Sequence, residues 1–439
     1  MSQPSSPAPT SRRDFLKVTA ATAAAATLAV GPYVHAAGSD TLRVGLIGCG
    51  SPRGGRGRGA AEQCLRAGPN VKLVAMADLF RDHLDFTLNY LKKKKDLSGK
   101  IDVPEERCFV GFDAYKQVCA LKEVDLVLLA APPGFRPLHL RAAVDAGKHI
   151  FAEKPVAVDG PGVREVLKAV EDARAKKLSL VSGLCWRYHP GMRETFKRVH
   201  GGAIGDILTL QCTYNTGGLW KIDRTPQMSD VEWQCRNWLY FTWLSGDHNV
   251  EQHIHSLDKM AWAMKDEYPV SCTGVGGRQV RTAPVYGHIF DHHSVVYEYA
   301  NGVRCFSQCR QQDGCAPDVS DQLVGTRGVC HIDAMRAFAT IKPHGSGSAW
   351  RSSREGENMY QVEHNELVAS IRAGKPINNG DYMTKSTLMA IMGRMATYTG
   401  QKITWDMALH SKERLGPDKY EFGSLPTPEV ARPGVTKFV

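Results

Sequence analysis

Residues 41–68 read TLRVGLIGCGSPRGGRGRGAAEQCLRAG. Leu42 to Ile47 is an apolar run of strand length, Gly48 and Gly50 open a turn, and Ala60 to Ala67 reads as helix. A second apolar run, VKLVAMADLF, follows and reaches Asp78. Strand, glycine turn, helix, strand, acid is the order of a dinucleotide-binding unit. The glycines have a steric reason. A Cβ in the turn would hold a pyrophosphate away from the backbone N–H groups at the helix start. Asp78 is placed to accept from both ribose hydroxyls and to repel a 2′-phosphate, which favours NAD over NADP; Arg81 nearby moderates the preference. The loop departs from a regular G-x-G-x-x-G, because Arg53 takes the last glycine position and Gly54 follows one residue late. Gly48, Gly50, Ser51 and Arg53 are the predicted phosphate contacts, with Arg56 and Arg58 close by.

Downstream, VDLVLLAAPPG (Val124–Gly134) is a strand that runs out into Pro132 and Pro133, at the carboxyl end of the predicted sheet. LHLRAAVDAG then reads as helix, and KHIFAEKP as a strand ending in Glu153, Lys154 and Pro155. Upstream, SRRDFLK (Ser11–Lys17) precedes the mild apolar stretch TAATAAAATLAV and a small-residue site near Ala36 and Ala37. This is an export signal, and its paired Arg12 and Arg13 look like the twin-arginine class, whose transporter carries folded proteins. Residues 1–37 are therefore assigned to a signal and processing segment, and the chain to the periplasm or another exported site.

The composition is that of an ordinary soluble protein, 43% apolar and 23% charged over 439 residues. The net charge of +10 is spread out, and the one basic block, Lys92–Lys95, reads as a solvated helix face, so nucleic acid is not a predicted partner. The twelve cysteines are scattered, as free thiols filling a core would be in a chain that folds before export.

A second conspicuous stretch is GDHNVEQHIHSLD, Gly246–Asp258. A continuous helix would put His248, Glu251, His255 and Asp258 on roughly one face. At 1.5 Å per residue, His248 and Asp258 would stand about 15 Å apart, so one ion could not take all four. A pair such as Glu251 and His255 would need ligands from other strands, and no metal is assigned.

With VGLIGCG, APPG-x4-H, AAVDAGKHIFAEKP and GDHNVEQHIHSLD in hand, the chain resembles the Gfo/Idh/MocA oxidoreductases, the glucose-fructose oxidoreductase and inositol dehydrogenase family, over residues 41 to about 410. The resemblance implies a Rossmann NAD-binding domain over 41–182. It implies a substrate and oligomerisation domain over 183–410, with an open, mostly antiparallel sheet and C-terminal helices that pack back on the first domain. It also implies that Pro132, His139, Glu153 and Lys154 lie along the cofactor, with Lys154 between nicotinamide and substrate and His255 as acid/base. Where the family usually has aspartate four residues before that histidine, this chain has Glu251. The chemistry is coherent, since taking hydride from a carbinol needs a base for the O–H proton. A lysine beside an oxidised nicotinamide has a positive neighbour that lowers its pKa, and it can bond to a developing alkoxide.

In the second domain, Arg187 and Tyr188 follow a strand and are candidate sugar contacts, as are His248, Trp220 and Arg236. The aromatic insertion around RNWLYFTWLSG is expected either to cover a sugar face or to anchor a subunit contact. The open sheet predicts a homodimer or homotetramer, and residues 411–439 read as an extended arm. Free NAD is scarce outside the cytosol, so a tightly held, recycled cofactor is expected. The expected activity is NAD-dependent oxidation of a carbohydrate or polyol secondary hydroxyl. A redox-neutral glycosidase or lyase acting through a 3-keto intermediate, and a non-catalytic sugar-binding protein, are the alternatives.

Overall fold

The computed structural model describes residues 40–345, 347–353 and 356–439; the export signal lies outside them. Six parallel strands form the first sheet: β1 (Leu42–Ile47), β2 (Val71–Asp78), β3 (Cys108–Val110), β4 (Leu126–Leu129), β5 (His149–Ala152) and β6 (Leu180–Ser182). Their order is β3-β2-β1-β4-β5-β6. This is the doubly wound dinucleotide-binding order, with the strand order reversing beside β1. β1, β2 and β4 are buried nearly throughout because helices cover both faces, which is why they read as unbroken apolar runs.

The helix after β1 runs Arg56–Arg66, four residues earlier than its composition suggests. Within this helix position 57 has to be glycine: a Cβ there would stand 1.9 Å from the Gly48 carbonyl oxygen. That glycine serves close helix–strand packing rather than a turn.

The second sheet has nine strands: β7 (Ile207–Thr216), β8 (Ser271–Gly277), β9 (His292–Glu298), β10 (Arg304–Gln311), β11 (Asp318–Gly325), β12 (Gly328–Asp333), β13 (Phe338–Pro343), β14 (Trp350–Arg351) and β15 (Ile403–Thr404). The order is β14-β13-β12-β11-β7-β10-β9-β8-β15, with β7 and β10 parallel and the other pairs antiparallel. β9 and β10 alternate buried and exposed positions, as expected when helices cover one face only.

Residues 42–439 form one compact unit. Two features tie its sheets together. The helix Met359–Arg372 lays Leu367, Val368 and Ile371 into the apolar cluster that holds β1 and β2. The segment Ile377–Asn379 hydrogen-bonds along β6 through Leu180 and so closes the edge of the first sheet. The twelve cysteines are free, and ten of them are buried.

GDHNVEQHIHSLD is not one helix. His248–Glu251 is a single turn, and Ile254–Ala263 begins after a break at Gln252 and His253. The four side chains read as one face have three surroundings: His248 beside Asp247 and His293, Glu251 and His255 near Lys154, and Asp258 on Arg187.

Candidate active site

A cavity of about 340 Å³ runs along the carboxyl ends of β1, β2, β4 and β5. At its floor Gly48 has φ 90, and a Cβ there would meet the Ala131 nitrogen at 2.2 Å. Asp78 ends β2 with its carboxylate fixed: Oδ2 accepts from Cys49 N–H at 2.7 Å and Oδ1 from Phe80 N–H at 3.0 Å. Arg81 points away and is committed to Asp85 and Glu105, so it does not offset the charge of Asp78. Gly50, Ser51, Pro132, His139, Glu153 and Lys154 also line the cavity, whereas Arg53 is exposed and reaches the carbonyl of Lys221. Arg58 lies over Phe86 and Tyr90, and Arg56 bonds Glu153 at 2.8 Å.

Opposite, Arg136 is fully enclosed. Its Nε donates to Glu153 O and one Nη to Ala131 O, while the other Nη has no partner. An unpartnered donor at the ends of β4 and β5, where the fold places the nicotinamide half, fits a dinucleotide. His139 packs against Tyr115 and Phe135, and its pKa is pushed down to about 3 by burial and by Arg136. It serves as a neutral wall.

At the inner end stands Lys154. Its Nζ donates to Glu251 Oε1 at 2.7 Å and to Glu251 O at 2.5 Å. Both side chains are largely buried, 11% and 16% exposed. His255, in the first turn of Ile254–Ala263, is driven far below its ordinary pKa by burial first, then by the positive charges of Lys154, Lys259 and Arg56. It is a neutral imidazole with an unpartnered Nδ1, beside a cation held by a carboxylate.

The roof comes from elsewhere. Trp220 lies over the glycine loop, 3.0 Å from where a Cβ on Gly54 would be. Arg236 sits 3.9 Å above the Phe80 ring and pairs with Asp82 and Glu232. Both side chains line the dinucleotide cavity beside Phe80 and the glycine loop, away from the Lys154 end. Of the insertion rings, Trp233, Tyr240, Phe241 and Trp243 are buried in a third apolar cluster, closed by Tyr420 and Leu425 of the C-terminal arm, whereas Trp238 lines the cavity edge-on to Trp220. The arm is anchored, since Gln234 donates to Leu425 O, Val231 N–H to Gly423 O, and Phe422 stacks on Phe80.

Three predicted sugar contacts lie in buried networks instead. Arg187 makes a forked bond to Asp258 and a second pair with Asp266, over the Tyr382 ring. Tyr188 donates to Asn379 Oδ1 at 2.7 Å. His248 is 3% exposed and faces Asp247. Sequence reading missed Arg136 and Glu363. Glu363 is wholly buried and lies 3.8 Å from Arg56; burial, then the charge of Glu153, raises its pKa well above normal.

Residues 42–182 match the family model described as "Oxidoreductase family, NAD-binding Rossmann fold", and residues 9–29 match the twin-arginine translocation signal. This match places the nucleotide-binding domain, residues 42–182, in the Gfo/Idh/MocA oxidoreductases. It is an NAD(P)-dependent oxidoreductase with NAD as cofactor, and its signal directs export after folding. It is similar to an inositol 2-dehydrogenase of Serratia proteamaculans (strain 568), 26% identical over 340 residues, covering 76% of this chain and 87% of that one. An inositol 2-dehydrogenase/D-chiro-inositol 3-dehydrogenase of Halalkalibacterium halodurans is 23% identical over 341 residues, 76% and 85% of the two chains. Among solved structures, levoglucosan dehydrogenase in complex with NADH and levoglucosan superposes with TM-score 0.64 at 16% identity, over 83% of this chain and 99% of that one. Aldose-aldose oxidoreductase from Caulobacter crescentus gives 0.62 at 18%, over 83% and 99%. At these identities the structural likeness concerns the fold. The cofactor assignment rests on the matched Gfo/Idh/MocA domain and on Asp78 and the glycine loop.

Proposed function

We propose that this oxidoreductase takes hydride from a secondary hydroxyl of a pyranose sugar or cyclic polyol and keeps its NAD through repeated turnovers, the hydride passing on to the carbonyl of a second sugar, which leaves as the alcohol. The observation that carries the reading is the Lys154–Glu251 pair at the inner end of the cofactor cavity, with neutral His255 beside it. NAD supplies the hydride acceptor. His255 takes the carbinol proton, a role open only to an uncharged imidazole. Lys154 donates a hydrogen bond to the substrate oxygen as negative charge builds there, and Glu251 holds the ammonium in place. Relatives named for inositol and levoglucosan support a ring-shaped, multiply hydroxylated substrate. Retention of NAD is supported by Trp220 and Arg236, which line the groove, and by the arm, whose Phe422 packs on the groove residues Phe80 and Phe112. A second copy would pack on the outer face of the nine-stranded sheet, where Val275 and Phe306 are exposed.

Glu251 also favours a second reading, redox-neutral cleavage of a glycoside through a 3-keto intermediate. Elimination needs a base for the acidified C2 proton besides the one that serves the hydroxyl, and the site holds a carboxylate as well as an imidazole. One experiment covers both. Protein purified without added nucleotide is analysed by mass for bound NAD, then given a panel of polyols, sugars and glycosides while 340 nm absorbance and products are followed. NADH accumulation supports oxidation; glycoside cleavage without it supports the second reading. A protein that neither holds nor recruits NAD contradicts both.

A further inference from the structure

Asp247, His248 and His293 meet in the interior, where the turn before His248–Glu251, strand β9 and the helix Gly380–Thr399 pack together. They are 0%, 3% and 2% exposed. His248 Nδ1 lies 2.7 Å from Asp247 Oδ1, and His293 Nε2 lies 3.3 Å from Oδ2. Neither contact has hydrogen-bond geometry: both His248 ring nitrogens and His293 Nε2 are buried without a partner.

The tautomer of His293 can be read from its far side. The Thr397 hydroxyl donates to the Arg394 carbonyl at 2.9 Å, so its oxygen is left to accept from His293 Nδ1–H at 2.8 Å. Neutral His293 then aims the lone pair of Nε2 at a carboxylate oxygen. That oxygen already accepts from Phe290 N–H and the Tyr398 hydroxyl. Lone pair facing lone pair in a buried setting is repulsive, and a cation between them removes the conflict.

We propose that Asp247, His248 and His293 bind one divalent transition ion of the zinc class. One carboxylate oxygen with two imidazole nitrogens is a donor set that suits zinc, and Thr397 provides the outer hydrogen bond that orients a ligating histidine. The three donor atoms lie within 4.8 Å of one another. Bonds of about 2.0–2.2 Å put tetrahedral ligands roughly 3.4 Å apart, so binding opens the 2.7 Å contact of His248 with Asp247 and draws the more distant donors together. The site also accounts for a strained backbone. Asp247 has φ 78 and ψ 162, a region almost confined to glycine. A metal bond joins the hydrogen bonds that hold it there, and so fixes the turn whose far end presents Glu251 to Lys154. Ligands this enclosed take up their ion as the chain folds, and a twin-arginine substrate folds before it is exported. The sequence gives no sign of the site, because His293 comes from a strand 45 residues beyond His248.

The rival for the central position is a proton, which would make His293 an imidazolium. Elemental analysis of the full chain, purified without chelator, separates the two. The expected content is about one zinc-class ion per chain, retained through dialysis against EDTA, falling below about a tenth in a His248→Ala/His293→Ala double variant. His292→Ala, on the same strand but half exposed, retains the ion. Protein made in cobalt-supplemented, zinc-poor medium shows the visible bands of a bound cobalt ion. Should the double variant fail to fold, wild-type content and the cobalt spectrum decide. Wild-type protein with less than about a tenth of an ion per chain and no cobalt bands overturns the proposal.

Discussion

The two ends of GDHNVEQHIHSLD hold the same residue types and lead opposite lives. Asp247 and His248 are sealed in the interior against β9 and the helix Gly380–Thr399. Glu251 and His255 turn toward Lys154, and Glu251 itself borders the cofactor cavity. The break at Gln252 and His253 falls between Glu251 and His255, so the difference arises within the single turn: its start faces His293 and its end faces Lys154. Spacing along the chain does not fix surroundings here, because residues three apart on one turn meet different segments. An acid and a histidine therefore become a wall of the catalytic site in one case and an internal clamp in the other.

The contrast is sharpest for Lys154. Lys154→Ala removes the donor to the developing alkoxide and is expected to lower kcat/KM by about 10³-fold, with bound NAD unchanged by mass analysis. His255→Asn is expected to cost about 10²–10³-fold by removing the base. Its pH signature follows from the charge state: His255 must be neutral to accept the proton, and burial with Lys154 favours that form. Wild-type activity should therefore persist below the ordinary histidine range near ~6.5 and be lost only as pH falls through the depressed value. A Lys154→Met variant with measurable residual rate should show that acidic limb moved upward. An acidic limb near the ordinary value in the wild type would break the assignment.

Arg187 tests the interior side of the comparison. Breaking its buried pair with Asp258 by Arg187→Ala should cost about 3–5 kcal/mol of stability in urea unfolding. The protein that stays folded should bind sugar with unchanged KM; a KM effect without loss of stability would return Arg187 to the sugar pocket. The smallest effect is expected for Glu251→Asp. Shortening the acid by one methylene loosens its hold on Lys154, and kcat should fall by about tenfold or less in steady-state kinetics, with KM nearly constant.

Much of the nucleotide half was legible in the sequence because its constraints are local. A buried parallel strand is a continuous apolar run, and a close backbone approach demands glycine, so Leu42–Ile47, Gly48, Gly50 and Asp78 announce themselves within one βαβ unit. The family resemblance set Lys154, Glu251 and His255 in one site, but the bond between Lys154 and Glu251 spans 97 residues and neither spacing nor the resemblance implied it. Arg187 looked like a ligand because an arginine after a strand is equally ready for a sugar or an ion pair, and its partners Asp258 and Asp266 lie some 70 to 80 residues away. The insertion's aromatic rings looked available because their cover, Tyr420 and Leu425, lies at the far end of the chain. In each case the undecided question was which distant segment returns.

The most direct test of the catalytic account is a single-turnover experiment on protein carrying its own NAD, mixed with sugars and cyclic polyols and followed at 340 nm. The wild type is predicted to give an absorbance rise matching up to one equivalent of bound NAD, and Lys154→Ala, equally loaded, to give none on the same time scale. Wild-type protein that holds NAD yet shows neither a lasting nor a transient rise with any cyclic polyol, sugar or glycoside would contradict it.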